Sequence, residues 1–432
     1  MIKTISVQQL KVGMYIEDLG ISWLRHPFAR ARWLIKSQEE IKKIKQCGLS
    51  SIKIDTIKGI GVDPPTADQL QPPAISLATT TPLPKGAEPE ELTAESLAAL
   101  ADTVSVQDEI IQVARVYNEF LIRTRTFFSQ VQLGLPINLD EISSDLDELI
   151  KSVFRNRYAA SALVKLKTFD EYTYTHSVNV CVLALTLGRF LNLPLPKLKA
   201  LGIGGLFHDL GKIAISKKIV NKPGPLTVDE LREIQKHPYL SAKLLKTSDQ
   251  VSREVIECAL LHHERYCGQG YPQGLRSNEI PLSAQIIGLA DVYDAMTSDR
   301  VYRKKFSQHE TLKTMYAARG EEFDPILVSH LVKCLGVYPV GSLVHLNTGE
   351  KGLVMDINDN DLIKPKILLI DQPGDVTRNG PQVFDLVNQP EKKSNEVRRI
   401  VGVDAPGKWN IDPARYLLDH HSFKPAVAFA PS

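Results

Sequence analysis

Apolar residues recur along the chain with two different periods, and the change of period divides it. Near the start, Ile2-Lys3-Thr4-Ile5 and Ser51-Ile52-Lys53-Ile54-Asp55 alternate apolar and polar positions, as a strand with one buried face does. Between them Ser37-Gln38-Glu39-Glu40 predicts a helix start, with Ser37 as N-cap and Glu40 as its capping-box partner, and Gly48 predicts the stop. Val106, Ile110, Val113, Tyr117, Phe120, Thr124, Phe127 and Val131 then fall at three- and four-residue steps, which marks one long amphipathic helix. Its stripe must be buried somewhere, either on the rest of the chain or against a second copy. Helical patterning resumes at Ile142, Leu146, Leu149, Val153 and Phe154. Thr227 and Glu230 form a second capping-box signal, and the helix they open is expected to carry His237 about two and a half turns in. Ser283–Met296 predicts a helix that turns Ile286, Ile287, Ala290 and Tyr293 inward. Past Gly336 the pattern changes to short strands, over Ser342–Leu346, Gly352–Ile357 and Lys366–Ile370, with Asn347-Thr348-Gly349 and Asn358-Asp359-Asn360 as turns.

These patterns predict a multi-domain, mainly α protein. A small α+β module spans 1–62, a Pro/Thr/Ala-rich linker 63–104, and a connecting amphipathic helix 105–140. A helical-bundle domain follows over 141–336, then a small β appendage and tail over 337–432. Length agrees, since 432 residues at ~150 per domain allow two or three. A net charge of +2 gives no case for a nucleic-acid polymer or an anionic membrane as partner. The first residues lead into a polar run without a secretory apolar core. The most apolar helical stretch, Val178–Leu191, falls short of the ~20 residues needed to cross a bilayer. A cytoplasmic protein with no membrane segment is therefore expected. Cys47, Cys181, Cys258, Cys267 and Cys334 are odd in number and form no Cys-x-x-Cys pair, so neither a disulfide framework nor a cysteine zinc site is indicated. Trp23, Pro27, Phe28 and Trp33 interleave with Arg25, Arg30 and Arg32, either as an anion-binding face or as core aromatics beside solvated arginines.

Candidate chemistry gathers between His176 and Arg303. Here lie His176, His208-Asp209 followed by Lys212, His237, His262-His263 and Asp291, five histidines and two aspartates. Histidine is the commonest transition-metal ligand, and a carboxylate has two oxygens that two ions can share. A catalytic zinc takes about three protein ligands, so seven candidates are a surplus for one ion and suit two. Neighbours on a helix point well apart, so His208-Asp209 and His262-His263 work at helix ends or astride two ions. Leu210-Gly211 and the loop Gly268-Gln269-Gly270-Tyr271-Pro272-Gln273-Gly274 place a stop after each pair.

His208-Asp209-Leu210-Gly211-Lys212 resembles the signature of the HD phosphohydrolases, and His262-His263-Glu264 with Gly268-x-Gly270-Tyr271-Pro272 resembles the second signature of their HD-GYP subfamily. Asn221-Lys222-Pro223-Gly224, Lys236-His237-Pro238 and the run from Ala290 to Arg300 agree, and the match covers roughly residues 145–336. The resemblance implies an HD-type helical bundle that binds two or three metals, commonly iron or manganese, and hydrolyses cyclic di-GMP. His176, His208, Asp209 and Asp291 are assigned to one ion, and Asp209, His237, His262 and His263 to the other, with Asp209 as bridge. Two ions about 3.5–4 Å apart make a hydroxide near neutral pH and clamp a phosphoryl group, so attack at phosphorus is expected to give pGpG and then GMP. Lys212 would meet the charge that builds on the phosphate, and Arg300 and Arg303 match positions that contact substrate phosphates. Gly270 and Tyr271 are expected to shape the substrate groove, or to dock a GGDEF-type synthase. Gly268 and Gly270 permit positive backbone angles for close approach to a ligand, and Glu264 is expected to orient a ligand histidine.

Two departures from the family pattern stand out. Cys267 sits where an aspartate is more usual, either as a tolerated loop thiol or as a redox-sensitive one. Some members hold a third metal through a glutamate four residues before the first histidine. Tyr172 stands there, and a two-metal site is expected. Beside the phosphodiesterase reading stand a catalytically weak cyclic di-GMP sensor or adaptor, and another HD nucleotide phosphohydrolase. A homodimer through the long helix is the corresponding expectation for assembly.

Overall fold

The computed structural model describes residues 2–18, 33–35, 37–46, 51–56, 92–166, 172–222, 224–298, 306–370, 383–389, 397–404, 411 and 413–418. The chain divides into two compact units, Met1–Glu88 and Pro89–Ser432. In the first, β1 (Ile2–Ser6), β2 (Tyr15–Asp18), β3 (Trp33–Leu34) and β4 (Ser51–Asp55) form an antiparallel sheet in the order β1-β4-β2-β3, with helix α1 (Gln38–Gln46) before the last strand. Ile52 and Ile54 on β4 are buried with Ile5, Met14, Ile16, Ile41 and Ile44, while Lys53 between them faces out. The two-residue alternation is thus that of a half-buried sheet. Trp23, Arg25, Pro27, Phe28, Arg30, Arg32, the Glu40 side chain and Gly48 lie outside the described residues.

The second unit is built on helices: α2 (Ala94–Leu100), α3 (Val106–Gln132), α4 (Asp140–Arg155), α5 (Arg157–Leu166), α6 (Tyr172–Phe190), α7 (Leu195–Phe207), α8 (Lys217–Val220), α9 (Val228–Ile234), α10 (His237–Leu245), α11 (Arg253–Leu261), α12 (Leu282–Thr297), α13 (Gln308–Ala317) and α14 (Pro325–Leu335). After them β5 (Leu343–Leu346), β6 (Lys351–Asp356), β7 (Lys366–Ile370), β8 (Val383–Asp385) and β9 (Ile400–Val403) make a second antiparallel sheet, order β8-β7-β6-β5-β9, followed by α15 (Pro413–Leu418). The molecule is multi-domain and mainly α. None of the described helices is long and apolar enough to cross a membrane.

Helix α6 is the axis of this unit. Every residue from Thr175 to Arg189 is buried, so the helix is covered on all sides, chiefly by α7, α12, α3 and α5. Polar residues on such a helix need partners, which bears on His176 and Asn179 below. The stripe of α3 is wholly buried in the same core as α6, with Phe127 stacked on Phe207 at 4.7 Å. Its face is covered by its own chain, so the argument for a homodimer from an uncovered stripe falls away. Strands β5, β6 and β7 add Val344, Leu353, Val354, Ile367 and Leu368 to that core, and Asp359 in the β6–β7 turn is gripped by Arg157 and Tyr158 of α5.

One predicted element is corrected. Thr227 and Glu230 do form a reciprocal capping box, Glu230 Oε2 accepting from the Thr227 N–H at 2.7 Å, but the helix they open stops at Ile234. His237 opens a new helix, α10, instead of riding inside α9. Pro238 explains the break, since proline disfavours helical backbone before it and suits the first turn of a helix.

Candidate metal centre

Helix ends build this site. His208 is the C-cap of α7, and its Nδ1 lies 2.8 Å from the Gly205 carbonyl oxygen. His262 is the C-cap of α11, with Nδ1 3.0 Å from the Ala259 carbonyl. His237 sits just past the end of α9, with Nδ1 2.7 Å from the Ile234 carbonyl. Each imidazole therefore meets a carbonyl three residues back, one of those a helix end leaves without a partner. Carbonyl oxygens only accept, so Nδ1 must carry the proton and donate it. The Nε2 lone pairs are then all turned to the interior, where a metal needs them.

Asp209 divides these lone pairs into two groups. Its Oδ2 faces His208 Nε2 at 3.3 Å and His176 Nε2 at 3.7 Å; its Oδ1 faces His237 Nε2 at 3.1 Å and His262 Nε2 at 4.0 Å. His263 Nε2 lies 3.1 Å from His237 Nε2, and Asp291 Oδ1 lies 3.2 Å from His176 Nε2. Two sets of donor atoms result, Asp209, His237, His262 and His263 in one and His176, His208 and Asp291 in the other. The seven side chains named from the sequence are thus brought together, from five separate helices or helix ends. They fit metal ions on a physical ground. His208 Nε2 and Asp209 Oδ1 are buried without a hydrogen-bonding partner, and acceptor faces acceptor where Oδ1 meets the His237 lone pair. A cation relieves that opposition, while leaving such atoms unmet costs about 1–3 kcal/mol each.

Charge balance in the cluster points the same way. Burial works to raise the Asp209 carboxyl, but Lys212 and the neighbouring histidines outweigh it and hold it well below the usual carboxylate range. Burial opposes ionisation of Asp291 too and is outweighed by His176. Burial lowers His262 well below the ordinary imidazole range, and it takes His263 down to about 3. Burial also acts to lower His176, yet Asp291 and Asp294 outweigh it and lift that imidazole to about 9.

Asp294 is a residue that the sequence reading passed over. It is buried, and its Oδ2 lies 2.8 Å from His176 Nδ1, so it fixes the ring that the helix-end carbonyls fix elsewhere. Its place one helical turn after Asp291 was a readable signal, because residues three apart share a helix face. Lys212 was placed to meet a phosphate; its Nζ lies 2.5 Å from Asp209 Oδ2. Glu264 needs a correction. Its carboxylate accepts from the Gln273 N–H at 2.7 Å and the Leu275 N–H at 3.0 Å, so it pins the glycine-rich loop rather than orienting a histidine.

Comparison with known proteins identifies the family. Residues 144–327 match the HD domain family, and residues 2–142 match a domain of unknown function, DUF3391. Over 414 residues the chain is 36% identical to the cyclic di-GMP phosphodiesterase PA4108 of Pseudomonas aeruginosa, which covers 95% of this chain and 94% of that protein. The chain belongs to the HD-GYP family of phosphodiesterases. Over 146 residues it is 39% identical to the 3'3'-cGAMP-specific phosphodiesterase 1 of Vibrio cholerae, covering 34% of each chain. The solved structure of Bd1817, an HDG"Y"P protein of Bdellovibrio bacteriovorus, covers 77% of this chain and 98% of that one at 18% identity, with a TM-score of 0.45.

The HD-GYP loop itself folds against the centre. Tyr271 stacks on His263, ring centroids 4.6 Å apart and planes 27° from parallel, and its N–H donates to the His263 carbonyl at 3.2 Å. Gly268 has the positive φ expected, +82°, whereas Gly270 does not share it. What demands glycine at 270 is the chain itself, since a Cβ there would meet the Arg265 nitrogen at 2.3 Å. The close approach seen is to the protein's own backbone. Cys267 is partly buried, its N–H donating to the Glu321 carbonyl at 2.8 Å. Arg300 and Arg303 lie outside the described residues, as does the side chain of Tyr172.

Proposed function

We propose that this HD-GYP phosphodiesterase hydrolyses cyclic di-GMP at a two-metal site, opening the ring to pGpG and then cleaving that to GMP. The observation that carries the reading is the division of Asp209, one carboxylate oxygen toward each set of histidines. His176, His208 and Asp291 would hold one ion and His237, His262 and His263 the other, with Asp209 between them. Divalent iron or manganese, bound there, supplies a nucleophile at neutral pH and positive charge for the phosphoryl oxygens.

The chain's own residues prepare this chemistry. Three carbonyls and Asp294 hold four of the five imidazoles in the tautomer that presents Nε2, so none of those rings has to turn as an ion arrives. Lys212, part-exposed at the edge of the centre, is placed to pass from Asp209 to a phosphate oxygen as negative charge grows there. Tyr271 and Gly270 form the loop wall beside His263. Arg300 and Arg303 are assigned to the substrate phosphates.

Relatives named for cyclic di-GMP and for 3'3'-cGAMP both match this chain, so the base next to the scissile phosphate is the discriminating variable. Anaerobic purification with iron or manganese, followed by product analysis on cyclic di-GMP, 3'3'-cGAMP and cyclic di-AMP, tests the reading. Turnover of cyclic di-GMP to pGpG and GMP, with kcat/KM above the other two, is expected. Preference for 3'3'-cGAMP would move the assignment, and binding without turnover in the metal-loaded protein would make it a sensor.

A further inference from the structure

A buried hydrogen-bonded chain runs from α3 to the metal centre. The Tyr117 hydroxyl donates to Asn179 Oδ1 at 2.5 Å, Asn179 Nδ2 donates to Asp294 Oδ1 at 2.9 Å, and Asp294 Oδ2 meets His176 Nδ1 at 2.8 Å. The Ser298 hydroxyl also donates to Asp294 Oδ1, at 3.2 Å. All four members of the chain are at most 5% exposed. Tyr117 lies 62 residues from Asn179, inside the stretch 2–142 and outside the stretch 144–327 that matches the HD domain. The histidine, the amide and the aspartate belong to the HD match; the tyrosine does not.

Direction matters along this chain. An amide side chain has one accepting end and one donating end, so what sits at one end decides what the other offers. The Asp294 carboxylate only accepts, so Asn179 must turn its NH2 to it and its Oδ1 to Tyr117, whose hydroxyl donates and anchors the amide in that setting. The reversed amide would set an oxygen against a carboxylate. Asp294, held by Asn179 and Ser298 through Oδ1, keeps Oδ2 for His176 Nδ1. That bond fixes the plane of the ring and commits Nε2 to Asp291 and Asp209. Three of the other four imidazoles at the centre, His208, His237 and His262, borrow a carbonyl from their own neighbouring helix end. His176, in the buried body of α6, meets instead a carboxylate from another helix, Asp294 of α12.

We infer that Tyr117 is a positioning residue for the His176–His208–Asp291 subsite, supplied by the segment that precedes the HD domain. The seat of α3 is thereby coupled to the affinity of one of the two metal positions, and displacement of that helix acts on metal binding without touching a ligand. The inference rests on the two-metal reading above.

Equilibrium dialysis of the metal-stripped full chain against Mn²⁺ tests it. Wild type is expected to bind two ions. Tyr117→Phe keeps the ring and removes only the hydroxyl; it should weaken one binding step by ~10–100-fold and leave the other unchanged. Asn179→Leu breaks the same chain at its middle with a side chain of similar volume and should weaken the same step, which covers the case of one variant folding poorly. Phe120→Leu, one turn along α3 and outside the chain, should change neither step. The visible spectrum of the Co²⁺-loaded Tyr117→Phe protein should differ from wild type, since the geometry at one ion has loosened. Two unaltered steps in both Tyr117→Phe and Asn179→Leu would overturn the inference while the two-metal reading stands. So would an equal loss in Phe120→Leu, which would reduce the effect to core packing. A wild-type stoichiometry of one ion would instead overturn the two-metal reading itself.

Discussion

The Lys212 ammonium lies 2.5 Å from Asp209 Oδ2, on the oxygen that also faces His208 and His176. A metal ion there would take over the neutralising role, so lysine and metal compete for one carboxylate oxygen. Lys212→Met should therefore bind Mn²⁺ at least as tightly as wild type. Its turnover should still fall, because a charge that meets the transition state has gone; removal of one such donor costs about 10²–10³-fold in kcat, with KM within a few-fold. Weaker metal binding with kcat intact would mean that Lys212 serves only the resting site.

Proton linkage in the metal-stripped protein should show two opposed limbs. His263 is driven down to about 3 by burial, against an unfolded value of about 6.5. Below about 6.5 the unfolded chain takes up a proton that the folded chain refuses, so this group's contribution is lost as pH falls toward 3. His176 runs the other way. Asp291 and Asp294 lift it to about 9 against the pull of burial, so its contribution is full below about 6.5 and lost as pH rises through 9. Denaturant midpoints across pH 4–10 would read both limbs. His263→Gln should make the acid limb shallower, with His262 still contributing there, and His176→Gln should remove the alkaline limb.

Glu264 offers a way to loosen the HD-GYP loop without altering a ligand. Both its oxygens accept from loop N–H groups, Gln273 at 2.7 Å and Leu275 at 3.0 Å. Glu264→Gln puts an NH2 against one of those donors, and a buried donor left unmet costs about 1–3 kcal/mol. Amide hydrogen exchange at 267–275 should speed up several-fold, while two Mn²⁺ ions still bind. Unchanged exchange there would show that the loop is held by other contacts.

How much of this was legible depended on the range of the interaction. His208-Asp209 and His262-His263 were readable as a pair of helix ends because the stop signals sit beside them. Two-residue alternation found β4, a short apolar run beyond turn residues found β7, and the three- and four-residue steps found α3 and α12. The α9 break before His237 was signalled by Pro238, and the capping box at Thr227 drew attention past it. Periodicity says that the α3 face is buried but not by what, so Phe127 against Phe207 could not be foreseen. Least legible was the hold on His176. Asp294 lies 118 residues from it, and Tyr117 another 62 residues upstream of Asn179, distances at which no local pattern carries information.

Gly211 gives the complement of the Tyr117 experiment, because it governs the other set of ligands. A Cβ at this position would stand 2.2 Å from the His237 carbonyl oxygen and 2.5 Å from the Ser241 nitrogen, both of them backbone atoms of α10. The two segments are pinned in this contact by Ser241, whose hydroxyl accepts from the Gly211 N–H at 2.7 Å and donates to the His208 carbonyl at 2.9 Å. Gly211→Ala must push the start of α10 away, and overpacking of this kind costs about 1–3 kcal/mol. His237 is the first residue of that helix, and its Nε2 stands 3.1 Å from Asp209 Oδ1. The displacement therefore falls on the Asp209–His237–His262–His263 set, while His176 and Asp291, carried by α6 and α12, keep their places. Mn²⁺ dialysis of Gly211→Ala should lose one binding step, and adding Tyr117→Phe should then weaken the step that remains. If instead the double variant binds Mn²⁺ as Gly211→Ala alone does, the two substitutions act on the same ion, and the division of the centre at Asp209 is wrong.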